Sequence, residues 1–99
     1  MSAAGDVYQA GVASVAQNAY LNLQPAAGAE IVVHNILHST DAILEFYDGS
    51  TAVTVDTVIG AGAWMGCFLH CTNAKYYRVK NTNASANNIC ADGMYTKVA

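Results

Sequence analysis

Residues 19–39 read AYLNLQPAAGAEIVVHNILHS, and their reading decides the fold class. Ala19, Leu21 and Leu23 alternate with Tyr20, Asn22 and Gln24, the period of two that marks a half-buried strand. Pro25, the only proline of the chain, lacks the N–H that a ladder needs, and Gly28 permits a turn, so that strand stops there. Glu30 to Ser39 then form a longer β-branched run, apolar on both sides, with His34 at its centre. Such a segment either carries chemistry through His34 or only builds and presents a surface.

The same punctuation continues downstream. Thr40-Asp41 closes the run, Ala42 to Tyr47 reads as a strand, and Asp48-Gly49 is the strongest hairpin signal in the chain. Thr51 to Ile59 follows, broken by Gly60-Ala61-Gly62, and then Trp64 to Cys71, ended by Thr72-Asn73. Lys75 to Asn81 is a further strand, TNASANN (residues 82–88) a polar loop, and Ile89 to Val98 a last strand with a bend expected at Asp92-Gly93. About eight short strands at this spacing imply a sandwich, a jelly roll or a small barrel. Residues 1–18 lack turn punctuation and fit a helix, a strand or an arm ordered against a neighbour; the arm is the expectation adopted.

The chain has 99 residues, one domain's worth. Only 11% are charged, against about 25% in ordinary globular domains. A surface so poor in charge is expected to be covered in part by protein, as in an assembled subunit. The net charge of -3 and the absence of a basic stripe exclude nucleic acid as an expected partner. No apolar run approaches the ~20 residues of a membrane helix, and the N-terminus lacks the basic start of a secretory signal, so no membrane partner is expected. Three cysteines form no even framework, which favours synthesis in the reducing cytoplasm.

Candidate chemical groups are few. Cys67, His70 and Cys71 fall together, yet in a strand Cys67 and Cys71 lie about 13 Å apart and His70 points the other way, so no metal site is expected. A bridge from Cys90 to either stays open. His34 and His38 would share a strand face, again about 13 Å apart, and chelate nothing together. Ser39, Thr40 and Asp41 beside His38 do not make a triad, which is a matter of geometry. Glu30 and Glu45 could be imagined as a glycosidase pair, but so small a domain leaves little room for a sugar cleft. Asn83-Ala84-Ser85 matches the glycosylation pattern, which arises often by chance. No catalytic residue, cofactor or metal is expected, and the chain is not read as an enzyme.

Seven tyrosine and tryptophan residues exceed what a small core needs, and such side chains suit interfaces. The candidate interface residues are Val7, Tyr8, Val12, Tyr20, Trp64 and Tyr76.

The pattern YLNLQPAAGAEIVVHNI resembles the small β-sandwich virion proteins of tailed bacteriophages: an alternating strand, P-A-x-G, an acidic residue, then a strand ending Asn-Ile. FYDGS, KYYRVKNTNAS and CADGMYTKV are similar in kind, and the likeness covers residues 19–98. His34 departs from the aromatic or apolar residue expected there. The resemblance implies a capsid decoration or cement protein that stabilises the shell, made in the host cytoplasm and located in the virion. It further implies a homo-oligomer, a trimer or another symmetric cluster, on the phage major capsid protein, without cofactors. The alternative is a glycan- or receptor-binding module of a tail fibre or tip. The expected fold is all-β: an antiparallel β-sandwich of about eight strands and jelly-roll character, with 1–18 as N-terminal arm and 19–99 as the domain.

Overall fold

The computed structural model describes residues 3–98; residues 1, 2 and 99, the ends of the expected arm and domain, lie outside it. Eight strands follow one another: β1 (Val7–Val15), β2 (Tyr20–Asn22), β3 (Glu30–His38), β4 (Ala42–Tyr47), β5 (Ala52–Val58), β6 (Gly62–Thr72), β7 (Tyr76–Asn81) and β8 (Asn87–Lys97). They form two four-stranded sheets, ordered β1-β8-β3-β6 and β2-β7-β4-β5. All pairs are antiparallel.

The order follows from one nested hairpin. β4 pairs with β5, β3 with β6, β2 with β7 and β1 with β8, so the first half of the chain lies against the second in reverse. Wrapping this ribbon adds the contacts β3–β8 and β4–β7 and gives the jelly roll. The tip of the ribbon is Asp48-Gly49. Gly49 takes φ 99°, which a side chain would resist, and the Asp48 carboxylate accepts the N–H groups of Ser50 at 3.0 Å and Thr51 at 2.8 Å.

Val7–Val15 is an integral edge strand, hydrogen-bonded along β8, rather than an arm reaching away from the sandwich. A register shift between Ala10 and Ala13 breaks its alternation, which is why periodicity alone leaves it ambiguous.

Leu23, Ile31, Val33, Ile36, Val79 and Ile89 are fully buried between the sheets. Each such side chain contributes about 1.5–3 kcal/mol relative to exposure. Asn81 and Asn87 are buried beside them and tie the loops at one end of the sandwich. Asn87 Oδ1 accepts from the backbone of Ser39 and Thr40, while its Nδ2 donates to the carbonyls of Thr40 and Asp41. Asn81 Nδ2 donates to the carbonyls of Val15 and Ser85, both at 2.9 Å.

Two local expectations are corrected. Asp92-Gly93 is not a bend, because β8 runs through it. Gly93 is there for close approach: a Cβ at that position would meet the Val32 carbonyl oxygen at 1.9 Å and the Val33 Cα at 2.8 Å. His34 and His38 do not share a face. The register shifts between Val33 and Asn35 on both sides of β3, so Ile31 and Val33 before the shift, and Ile36 and His38 after it, all point inward.

Gly93→Ala forces backbone apart at the centre of the larger ladder. It is expected to cost about 3 kcal/mol or more, read as a lower urea midpoint with an unchanged slope.

Candidate functional site: the outer face of the β1-β8-β3-β6 sheet

The register of the four strands sets the outer face out in rows. Val7, Met94, Val32 and His70 stand side by side across the sheet, then Gln9, Asp92, Asn35 and Met65. In the next row Cys90, Leu37 and Ala63 are neighbours, with Val12 on the bulge of β1 beside them. This face is apolar and open: Phe68 is 81% exposed, Val12 73%, Val7 69% and Met65 68%. His34 lies on it with its ring edge against Phe68, centroids 5.5 Å apart.

Charge is almost missing from it. The Asp92 carboxylate accepts a hydrogen bond from Asn35 Nδ2 at 2.8 Å, and Asn35 Oδ1 in turn accepts from the N–H of Gly66 at 3.1 Å. Glu30 and Lys97 form a loose pair at the end of the face, 3.8 Å apart. At the β1 bulge a depression of about 210 Å3 opens, with Gln9, Gly11, Val12, Cys90 and Asp92 in its lining.

The expected interface residues divide. Val7 and Val12 stand on this face. Tyr8 packs on the core and meets Tyr95 edge to face at 5.8 Å. Burial foremost, then the neighbouring Cys71 and Tyr95, pushes the Tyr8 phenol above its ordinary range. Trp64 lies against His38, 4.9 Å between centroids, and its Nε1 donates to Asp56 Oδ2 at 2.7 Å. Tyr76 is buried against Tyr47. Tyr20 covers Arg78, whose guanidinium lies 3.9 Å from the Tyr20 ring centre and 4.1 Å from that of Tyr47. The Arg78 Nε donates to Glu45 Oε1 at 2.9 Å. Four of the six candidates therefore spend their rings within the subunit. Met65, Phe68, Leu37 and Met94, which supply the exposed surface instead, were missed by an aromatic-first reading. Their signal is parity: β6 carries large apolar residues at both phases, as only a strand covered on both faces requires.

The groups weighed for chemistry are spread out. His38 is buried, with Nδ1 2.7 Å from the Thr40 carbonyl, so that Nδ1 carries the donated hydrogen. Its buried Nε2 has no hydrogen-bond partner. Glu45 belongs to Arg78, and Glu30 stands on the other sheet. Among the described residues no three His, Cys, Asp or Glu side chains are grouped to hold a metal. Cys67, Cys71 and Cys90 are all free thiols. Burial pushes the Cys71 thiol up to about 11 and raises that of Cys67. Asn83 is engaged locally: its Nδ2 donates to Asp41 Oδ2 at 3.2 Å, and its Oδ1 accepts from the Ser85 N–H.

Compared with known proteins, the chain matches no family model and no curated protein.

Two predictions come from these side chains. Arg78→Lys keeps the charge but loses the planar stack, and is expected to cost about 1–2 kcal/mol by urea unfolding with the far-ultraviolet spectrum unchanged. Asp41 is held below the ordinary carboxylate range, first by the Gly60 N–H at 2.6 Å and then by Asn83. A lowered folded value means that its stabilisation is complete above about pH 4 and is lost as pH falls through that value. Asp41→Asn is expected to flatten the acid limb of the melting-temperature profile below pH 4 while lowering the plateau above it.

Proposed function

We propose that this chain is a structural virion protein of a tailed phage, a decoration or cement subunit that binds the assembled capsid and stabilises it. The observation that carries the reading is an open, nearly uncharged, apolar face on an eight-stranded jelly roll, an architecture used by viral capsid domains. Exposed apolar patches of this kind on a small domain mark protein contacts. A second apolar region lies along edge strand β5, where Val53 and Val55 are exposed, and continues to Ile59. A decorating subunit needs two kinds of contact, to the shell and to its own copies, and two surfaces are available. The trimer that the resemblance implies rests on that resemblance alone.

The mechanism is mechanical. Each joint gains about 25 cal/mol per Å2 of apolar area removed from water, less the cost of association. Contacts that straddle neighbouring shell subunits then oppose the outward pressure of packaged DNA.

A glycan-binding tail module would present aromatic platforms beside polar groups. The tyrosines instead pack on Arg78, on each other or, for Tyr77, on Phe46, and the most exposed aromatic ring is Phe68, which has no polar handle. This favours assembly over sugar recognition.

Purified protein added to expanded phage capsids that lack it is expected to bind saturably at regular positions in electron micrographs. It is also expected to raise the temperature at which the shells disrupt. Failure to bind expanded shells overturns the proposal, and specific retention on a glycan array would replace it.

A further inference from the structure

We propose that the outer face of the β1-β8-β3-β6 sheet packs against the same face of a second copy of this chain. In this contact Met65 on β6 of each copy sits over the β1–β8 depression of the other, with Phe68 beside it toward the Val7 end of β1. This deepens the assembly reading by naming the occupant of that face, and it rests on that reading for its biological setting only.

Shape carries the first part. Large side chains stand out at both edges, Met65 and Phe68 on β6 and Val7 and Val12 on β1, and a hollow opens beside Val12. The hollow lies at the edge opposite β6, between β1 and β8. Met65 is level with the hollow along the strands: Asn35 on β3 pairs with Met65 on one side and Asp92 on the other, and Asp92 pairs with Gln9; Phe68 lies further along β6, next to the Val33–Leu69 pair. A two-fold axis lying in the interface and parallel to the strands lays β6 of one copy over β1 and β8 of the other, and does so twice. The hollow of about 210 Å3 equals several water volumes of about 30 Å3, room for a methionine side chain. Gly11 in its lining adds no side chain, and a Cβ there would meet nothing within 4 Å.

Charge carries the second part. A face that meets itself must not repel itself. Here the charged groups are Asp92, already tied to Asn35, and the Glu30–Lys97 pair at the end. A different protein partner recognised by charge would find nothing to pair with.

Area carries the third. Four strands about 4.8 Å apart and about nine residues long at 3.3 Å span roughly 19 by 30 Å. With side-chain relief this approaches the roughly 800 Å2 per partner of an ordinary stable interface. Sheets packed in this way also obey the usual aligned face-to-face geometry.

Sedimentation of the full chain over a range of concentrations is expected to give twice the subunit mass. Met65→Asp and Phe68→Asp change residues that are more than two-thirds exposed, so the fold should persist by circular dichroism while the mass halves. Gly11→Leu fills the hollow from the other side and is expected to do the same. As a positive arm, Met65→Cys under mild oxidation should give a covalent dimer on non-reducing gels. That dimer should vanish in Met65→Cys/Cys90→Ser. A wild-type monomer, a dimer or trimer that survives Met65→Asp, or a cross-link independent of Cys90 overturns the inference. Monomers that still decorate capsids would leave the proposed function standing and this contact refuted, whereas dimers that ignore capsids would do the reverse.

Discussion

The constraint on which the rest of this structure depends is the register shift at the centre of β3. A strand alternates its faces with period two, so one extra residue exchanges inside for outside from that point on. In β3 the exchange happens at His34, between Val33 and Asn35, on both flanking ladders at once. Without it Ile36 and His38 would point to solvent, and Asn35 and Leu37 would be forced into the core. β6 answers with Gly66 in a left-handed conformation, φ 66°, its N–H bonded to Asn35. β8 answers with Gly93, the residue whose bare backbone lets Val32 approach. Two glycines and an asparagine on three strands thus serve one irregularity. The histidine that looked chemically suggestive marks the site of the shift.

That shift also explains what sequence reasoning could and could not read. Turns were legible because their chemistry is local: Pro25 with Gly28, Asp48-Gly49 and Gly60 all fall between strands. The strands from residue 19 onward were legible by alternation, and so was the all-β class. Bulges were not, because the partner strand decides where a ladder slips, and the partner is distant in sequence. The errors cluster there. A strict period of two puts His34 and His38 on one face, and the bulge breaks that period. Val7–Val15 stayed ambiguous because the bulge between Ala10 and Ala13 spoils its parity. Asp92-Gly93 mimicked a turn because glycine serves close approach and tight turning equally well.

The candidate surface was half legible for a related reason. Tyrosine and tryptophan fit interfaces in general, but a polar handle can be satisfied inside a subunit as readily as across one. Here Trp64 finds Asp56, Tyr47 finds the Gly49 carbonyl, and Tyr20 finds the face of Arg78. Side chains without a handle have no such internal use. Once the inner layer is full, Phe68, Met65 and Val12 can only be left outside or covered by another molecule. Excess aliphatic and phenyl surface at both phases of a strand is therefore the more discriminating signal of assembly, and tyrosine count the weaker one.

The scarcity of charge can now be given a location. The chain has seven acidic residues, and every one is committed within the subunit. Asp6 accepts the N–H of Ala3, Asp41 that of Gly60, and Asp48 those of its own turn. Asp56 holds the Trp64 indole, Glu45 holds Arg78, Asp92 holds Asn35, and Glu30 faces Lys97. These carboxylates cap turns and anchor strands; they do not form a solvating coat. A protein that uses its few charges to finish its own fold leaves the outer face of one sheet with little to keep it in water. In a lone subunit such a face is an aggregation liability. The same face is coherent if burying it is the last step of assembly.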